Sequence, residues 1–294
     1  MSGAAATTIA VASGKGGTGK TTVAAHLALA AAARSRALLV DLDVEAPDAL
    51  GYFPGAARAG EGASASIQVP VLDEARCSGC GACAKACRFG AIVALGGVVT
   101  IDERVCKGCG RCVAACPSRA LGERALEVGR VTRRSLGGLE LVEGRLAIGD
   151  IRSTSVIEAA KREAAASGAE IEVRDCPPGV TCPTVHALAG ADYLVLVAEP
   201  TEFSLHDLRA AAELASTMGL AAGVVVNKEG FGSADIRAFC ASRGLPVIGA
   251  IPFSRERASA GARAALWAGD ERARAEFERV LDAALAGARK KAAL

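Results

Sequence analysis

The sequence predicts an α/β fold in which a mostly parallel sheet flanked by helices is interrupted by a small α+β module. Short apolar runs alternate with helical patterns over most of the chain, which is typical of parallel sheets. A glycine-rich loop separates the first apolar run from the first helix, and eight cysteines are concentrated between positions 77 and 116. With 294 residues, 51% of them apolar, the chain is long enough for one large domain and a second small one.

The elements before the cysteines form a strand, loop, helix and strand in that order. Residues 7–12 (TTIAVA) predict a buried strand, residues 21–34 an alanine-rich helix, and residues 37–42 (ALLVDL) the second strand. This is the βαβ opening of a parallel sheet. After it, the stretch GAARAGEGASAS at 55–66 predicts a linker because glycine, alanine and serine dominate it.

Beyond the cysteines the same alternation resumes. We expect strands over 139–148, 170–174, 193–198, 222–226 and 247–251, and helices over 153–167, 204–218 and 233–242, followed by two closing helices. The last helix carries Phe277, Val280, Leu281 and Leu285 on one face, which favours packing on the sheet over a membrane-binding tail. The chain is therefore expected to form a discontinuous domain (1–66 and 130–294) with an inserted domain (67–129).

Charge and hydropathy favour a cytoplasmic protein without nucleic acid or membrane partners. The 34 basic and 32 acidic side chains leave a net charge of +2, which gives no electrostatic case for binding nucleic acid or an anionic membrane. No apolar run approaches the ~20 residues of a membrane span, and the N-terminus lacks a signal-peptide pattern. The short cysteine spacings indicate metal ligation in a reducing compartment rather than disulfides.

The glycine-rich loop has the sequence GKGGTGKTT at 14–22 and contains the motif G-x4-G-K-T between a strand and a helix. In that context backbone N–H groups and the helix N-terminus bind phosphate. Lys20 is expected to reach the β- and γ-phosphates, and Thr21 to hold Mg²⁺. The predicted nucleotide-binding residues here are Gly14, Lys15, Gly16, Gly17, Thr18, Gly19, Lys20, Thr21 and Thr22.

A second lysine, Lys15, gives the loop the form K-G-G-T-G-K-T. It resembles the deviant Walker loop of the MinD/ParA-type ATPases, which include the nitrogenase iron protein and the Mrp-type iron–sulfur carriers. The resemblance implies a P-loop NTPase fold, ATP and Mg²⁺ as ligands, and a homodimer or a heterodimer with a related ATPase. In such a dimer Lys15 would reach the partner's nucleotide and offset charge on the transferred phosphoryl group.

Other segments match the same family, so that the resemblance covers 7–54 and 139–260. DLDVEAP at 41–47 resembles switch I, DCPPG at 175–179 resembles switch II, and Asn227-Lys228 resembles an adenine-reading pair. The resemblance implies that Asp43 orients the attacking water, with Lys15 and Lys20 as its catalytic partners. It also implies a magnesium site of Thr21, Asp43 and Asp175, and adenine contacts from Asn227 and Pro252. Taken alone, Asp41 and Asp43 are equally consistent with solvated carboxylates at a strand end.

The eight cysteines form two runs of the pattern C-x2-C-x2-C-x3-C, each cysteine of the second lying 29 positions after its counterpart. This is the bacterial ferredoxin pattern, in which three cysteines of one run and the last of the other hold each [4Fe–4S] cluster. Zinc is the alternative, since C-x2-C pairs also bind it. The first run is followed by Arg88 where the pattern has proline. The predicted ligand sets are Cys77, Cys80, Cys83 and Cys116 for one cluster, and Cys106, Cys109, Cys112 and Cys87 for the other.

The remaining cysteines and histidines give weaker signals. Cys182 follows switch II at a position comparable to a bridging-cluster ligand of the nitrogenase iron protein, but no second cysteine lies at 135–150, so a small buried apolar residue is the other interpretation. Cys176 is the other cysteine near switch II. Cys240, His186 and His206 are expected to be structural.

Together these motifs predict an ATP-gated protein that transfers electrons through two [4Fe–4S] clusters to a redox partner. Two alternatives stay open: an ATPase that assembles or carries iron–sulfur or related metal cofactors with a cofactor-assembly partner, and a positioning ATPase whose clusters sense redox state. A purely structural role for the clusters is a further possibility.

Overall fold

The computed structural model describes residues 6–267 and 269–292. The chain divides into two compact units. The larger unit takes the described residues up to Gly62, Val131–Arg145 and those from Ile157 onward, and the second takes Ala63–Arg130 and Leu146–Val156. Residues 146–156, which the sequence analysis placed in the larger domain, thus group with the cysteine-containing unit.

The elements alternate much as the sequence predicts. The strands are β1 (Thr7–Ala12), β2 (Ala37–Asp41), β3 (Ala57–Arg58), β4 (Ala63–Leu72), β5 (Ile92–Leu95), β6 (Val98–Ile101), β7 (Leu121–Leu136), β8 (Leu139–Leu146), β9 (Ile171–Asp175), β10 (Tyr193–Ala198), β11 (Ala222–Glu229) and β12 (Val247–Pro252). The helices are α1 (Lys20–Ala32), α2 (Ala82–Ala86), α3 (Arg111–Ala114), α4 (Ser153–Ala164), α5 (Cys182–Leu188), α6 (Glu202–Thr217), α7 (Ile236–Ser242), α8 (Arg255–Ala262) and α9 (Glu271–Ala292).

The sheet of the larger unit has the order β12-β11-β10-β1-β9-β2-β8-β7-β3. All pairings from β12 to β8 are parallel, whereas β3 pairs antiparallel with β7. In register, Asp175 at the end of β9 lies beside Val11 of β1 and Asp41 of β2. The loop after β1 and two acidic strand ends therefore meet at the carboxyl edge of the sheet, where α/β proteins place their ligands.

The core of the larger unit lies between the sheet and the helices α1 and α9. Val23 and Leu27 of α1 and Phe277, Val280 and Leu281 of α9 are buried in one apolar cluster. The apolar face of the last helix thus packs on the fold, as the sequence analysis favours. Among the described residues, none of the helices combines the length and the apolar character needed to span a membrane.

The second unit is a small α+β assembly in which β4 pairs with β7 and β5 pairs antiparallel with β6. The short helices α2 and α3 begin inside the two cysteine runs. The predicted linker over 55–66 is wrong in part, because it contains β3 and the start of β4. Its composition favours turns, but hydrogen bonding to the 16-residue strand β7 gives both segments an extended conformation.

Candidate nucleotide site and cysteine cavities

The glycine-rich loop is fixed by residues that lie far away in the sequence. Gly19, just before α1, has φ +89°, and a Cβ atom there would lie 2.3 Å from Asn227 Nδ2. Only glycine fits this conformation and this close approach. The Asn227 amide donates to the carbonyl of Thr18 at 2.7 Å, which ties the loop to strand β11.

Most predicted nucleotide-binding residues line one cavity of about 580 Å³ beside this loop. Three predicted residues do not line it. Thr18 is buried under the loop, Gly14 packs against the backbone of Asp207, and Asp175 lies fully buried behind Lys20. The predicted residues that do line it are Lys15, Gly16, Gly17, Gly19, Lys20, Thr21, Thr22, Asp43, Asn227 and Pro252.

Lys20 forms the electrostatic centre of the site. Its Nζ atom lies 2.6 Å from Asp175 Oδ1 and 3.6 Å from Asp43 Oδ2, and the residue is only 6% exposed. Burial by itself lowers the pKa of Lys20, but the charges of Asp175 and Asp43 outweigh it and raise that pKa above its ordinary value. Lys20 therefore stays protonated, as a phosphate-binding lysine must.

An acidic cluster lies next to Lys20. Carboxylate oxygens of Asp41, Asp48 and Asp175 lie within 4.8 Å of one another, and Asp175 Oδ2 has no hydrogen-bond partner in the described part of the chain. Burial raises the pKa values of Asp41 and Asp175, so a cation bound between them would relieve an unfavourable environment. Oxygen ligands of this kind suit Mg²⁺.

The composition of this cluster differs from the predicted magnesium set. Asp43 lies beside Lys20 rather than in the three-carboxylate cluster, and sequence reasoning missed Asp48. The signal available for Asp48 was the density of acids in DLDVEAPD at 41–48. Asp41 also accepts hydrogen bonds from the N–H groups of Asp43 (3.1 Å) and Ala49 (2.9 Å), which fixes the segment that carries Asp48.

A second missed residue, Glu199, holds two lysines of the site. Lys15 Nζ lies 2.7 Å from one Glu199 oxygen, and Lys228 Nζ lies 2.8 Å from the other. Lys228 also donates to the carbonyl of Gly17 at 2.8 Å. Burial alone would raise the pKa of Glu199, but hydrogen bonds from the two lysines lower it below its ordinary value. The lysine expected to cross a dimer interface is thus ion-paired within its own chain.

The lining of the cavity also includes Tyr52 and Trp267. The Tyr52 hydroxyl lies 2.6 Å from Thr22 Oγ1. The backbone N–H of Trp267 donates to His26 Nε2 at 3.1 Å, and His26 Nδ1 lies 2.8 Å from the carbonyl of Thr22. Because a carbonyl only accepts, the His26 proton must be on Nδ1. His26 therefore joins the first turn of α1 to the segment that carries Trp267.

This arrangement predicts an acid-sensitive fold. Burial lowers the pKa of His26 from 6.5 to about 4. Between these pH values the unfolded chain binds a proton that the folded chain excludes, so the free energy of unfolding falls as the pH drops from 6.5 to 4, by roughly 3 kcal/mol in all. Urea unfolding as a function of pH measures it. His26→Gln should flatten this part of the curve, and an unchanged slope in that variant would contradict the prediction.

The second unit brings the eight cysteines of the two runs into two groups. What we call the first cysteine cavity is lined by Cys77, Cys80, Cys83 and Cys116. The second cysteine cavity is lined by Cys87, Cys106, Cys109 and Cys112. Each cavity thus collects three thiols of one run and the last thiol of the other, which are the two predicted ligand sets.

Backbone N–H groups point at several of these sulfurs. Gly79 donates to Cys77 Sγ and Gly108 to Cys106 Sγ, both at 3.4 Å, and Ala120 donates to Cys116 Sγ at 3.3 Å. The Ser118 hydroxyl, followed by the Ala120 N–H, lowers the pKa of the Cys116 thiol. Four thiols with N–H donors to sulfur are a ligand set that suits an iron–sulfur cluster or another thiolate-bound metal.

The other cysteines and histidines lie outside these cavities. Cys176 is fully buried, which raises the pKa of its thiol to about 12, and Cys240 is also buried. Cys182 is exposed, so its interpretation as a small buried apolar residue is wrong. The reason is that Cys182 opens α5 at the surface. His186 is paired with Glu158 (2.9 Å), and His206 lies on the exposed side of α6.

Comparisons with known proteins agree with this geometry. Two uncharacterized proteins of Methanocaldococcus jannaschii are similar over 222 residues: MJ0578 is 31% identical over 76% of this chain and 78% of its own, and MJ0579 is 26% identical over 76% and 80%. The septum site-determining protein MinD of Pyrococcus horikoshii OT3, solved with Mg-ADP, has the same fold (TM-score 0.57, 16% identity, 94% of both chains). The profile of the CobQ/CobB/MinD/ParA nucleotide binding domain matches residues 9–267. The chain therefore belongs to the CobQ/CobB/MinD/ParA nucleotide-binding family.

Proposed function

We propose that this protein is a dimeric switch in which Mg-ATP binding and hydrolysis control electron transfer through two [4Fe–4S] clusters to a redox partner. The observation that carries the proposal is the crossed composition of the two cysteine cavities, each with three thiols of one run and the last of the other. Two four-thiol sites of this kind match the ligand requirement of two cubane clusters. They lie in a chain of the CobQ/CobB/MinD/ParA nucleotide-binding family, whose glycine-rich loop lines a cavity of about 580 Å³.

On the nucleotide side, each residue has a role that its position supports. Lys20 and the N–H groups of the loop bind the β- and γ-phosphates. Thr21 and the acidic cluster around Asp175 hold Mg²⁺, and Asp43, beside Lys20, orients the attacking water. Asn227 and Pro252 line the cavity on the side proposed for adenine.

Lys15 has to change partners for the dimer to form. In the structure it is paired with Glu199 of the same chain. Reaching a nucleotide in a second copy requires that this ion pair open, and the negative charge of the triphosphate supplies the competing attraction. ATP-dependent dimerisation therefore begins with a rearrangement at Glu199.

On the redox side, the first cysteine cavity would hold one cluster and the second cysteine cavity the other. Bound clusters of this type accept and donate single electrons, and hydrogen bonds to their sulfurs tune the reduction potential. The N–H donors of Gly79, Gly108 and Ala120 supply such bonds. Cys80 and Cys109 are exposed, which gives each site an edge open to a partner protein.

The two rival functions predict different behaviour. Likeness to a septum site-determining protein favours a positioning ATPase, in which nucleotide would drive binding to DNA or membrane without changing the clusters. A cofactor carrier requires a cluster that leaves the protein. With eight thiols assigned to the cavities and Cys176 and Cys240 buried, Cys182 is the exposed thiol left for such transfer among the described residues.

The test is anaerobic purification followed by iron and sulfide analysis and redox titration with Mg-ADP or Mg-ATP. We expect roughly eight irons per chain and a shift of at least one midpoint potential with Mg-ATP. Lys15→Ala should abolish the shift. Glu199→Gln removes the ion pair but retains Lys15, so this variant should preserve the shift. Zinc in place of iron, or potentials that ignore the nucleotide in the wild type, would contradict the proposal.

A further inference from the structure

The two cysteine runs begin with the same loop. Asp73 and Asp102, which are 29 positions apart like the cysteines, occupy equivalent places. Asp73 Oδ1 accepts the N–H of Ala75 at 3.1 Å, and Asp102 Oδ1 accepts the N–H of Arg104 at 3.0 Å. The internal repeat therefore extends beyond the ligands to the turns that precede them.

The backbone bonds of the first ligand of each run are also the same. Cys77 N–H donates to the carbonyl of Glu74 at 3.2 Å, and Cys106 N–H donates to the carbonyl of Glu103 at 3.3 Å. Each sulfur accepts the N–H of the glycine two residues later at 3.4 Å. By themselves, the two repeats would give two nearly equivalent sites.

Arg152 makes the two sites different. Its Nη1 atom donates to the carbonyl of Glu103 at 3.0 Å and to the carbonyl of Cys106 at 3.4 Å. In the part of the chain that the structure describes, no side chain donates to the equivalent carbonyls of Glu74 and Cys77. The guanidinium comes from residues 146–156 of the second unit, outside both cysteine runs.

The guanidinium is held rigidly in a buried place. Arg152 is 5% exposed, and its Nε atom donates to Asp150 Oδ1 at 2.7 Å, with Nη2 bonded to the other oxygen of that carboxylate. Asp150 also accepts the backbone N–H of Arg152 at 2.9 Å. Because the side chains of Arg152 and Asp150 are both largely shielded from solvent, their interactions with neighbouring groups are screened less than at an exposed surface.

The linings of the two cavities also differ in charge, and the difference has the same sign as the charge of Arg152. Lys107, Arg111 and Glu123 line the second cysteine cavity together with its thiols. Apart from its cysteines, the first cysteine cavity is lined within the described chain by neutral residues. Reduction of a bound cluster adds negative charge, which nearby cations stabilise.

We infer that Arg152 is a positioning residue that holds the Glu103–Cys106 turn and gives the cluster in the second cysteine cavity the higher reduction potential of the two. An electron that enters the second unit therefore comes to rest on the cluster in the second cysteine cavity. The inference rests on the proposed function, since it requires both cavities to hold clusters. Asp150 offsets part of the positive charge, but it faces Arg152 rather than the carbonyls of the turn.

The experiment is a redox titration of the anaerobically purified full chain, followed by electron paramagnetic resonance. The wild type should show two midpoint potentials. Arg152→Gln should lower the higher one and leave the other unchanged, and Arg152→Lys, which keeps the charge, should restore most of the difference. Asp150→Asn, which removes the offsetting carboxylate, should move the same potential upward.

Site assignment comes from a second background. In Cys87→Ala, which leaves the first cavity as the only complete four-thiol site, Arg152→Gln should shift nothing. A shift in the Cys87→Ala background would overturn the inference. So would equal shifts of both potentials in Arg152→Gln alone, or no shift in Arg152→Gln alone when its iron content is unchanged. If Arg152→Gln does not fold, Asp150→Asn is the deciding variant: an upward shift of the higher potential supports the inference, and the absence of that shift overturns it. A wild type with zinc or well below eight irons would instead defeat the proposed function itself.

Discussion

Replacing Cys116 with alanine is expected to remove the cluster proposed for the first cysteine cavity and to leave the one proposed for the second intact, although Cys116 belongs to the second run. The structure places Cys116 with Cys77, Cys80 and Cys83. Loss of a thiolate ligand removes one of the four covalent anchors of a cubane, so the iron content should fall from roughly eight toward about four per chain. Iron and sulfide analysis of the anaerobic protein measures this.

A double variant separates the crossed arrangement from one in which each run holds its own cluster. Under the crossed arrangement, Cys77→Ala combined with Cys116→Ala damages a single site, and about four irons remain. If each run held its own cluster, the same pair would damage both sites and little iron would remain. Cys240→Ala, at a buried cysteine outside the cavities, is the matched control and should keep the full complement.

Local sequence patterns were sufficient for the parallel strands of the larger unit and for the phosphate loop. Strand β1 has the predicted bounds, and the Gly-rich loop precedes α1, because alternation of apolar runs and loop chemistry are properties of neighbouring residues. The parallel pairing of these strands, though not their order in the sheet, follows from the same alternation. The spacing of the cysteines likewise predicted which four thiols line each cavity, because the pattern is confined to a short segment.

The residues that sequence reasoning missed act through distant partners. Glu199 directly follows β10 and pairs with Lys15 of the phosphate loop, and Arg152 donates to the turn at Glu103. Neither contact leaves a periodic or spacing signal in the chain, since it depends on which strand ends and loops the fold brings together. The strand β7 was missed for a related reason: its polar and glycine-containing sequence is extended because β3 and β4 pair with it.

Replacing Lys20 with methionine is expected to destabilise the fold and also to suppress ATP hydrolysis. Without Lys20, Asp175 is left fully buried, near Asp41 and without its cationic partner. Removing one member of a buried ion pair costs about 3–5 kcal/mol. ATP turnover should fall at least about a hundredfold, because Lys20 is the donor that we propose for the transferred phosphoryl group. Urea unfolding and a phosphate-release assay measure the two effects.

The pH dependence of the same variant has a definite sign. Burial raises the pKa of Asp175, and removing Lys20 takes away the charge that opposes this rise. The folded variant therefore binds a proton that the unfolded chain releases at neutral pH, so the difference between its free energy of unfolding and that of the wild type should shrink as the pH falls. Unfolding curves at a series of pH values test this directly.

Two matched variants isolate the cause. Adding Asp175→Asn to Lys20→Met removes the uncompensated buried charge, and so it should restore stability at neutral pH without restoring ATP turnover. Lys15→Met changes a lysine whose side chain is 30% exposed and ion-paired to Glu199, so it should alter stability by no more than about 1 kcal/mol. If Lys20→Met were as stable as Lys15→Met at neutral pH, the loss of Lys20 would not leave a destabilising buried charge at Asp175.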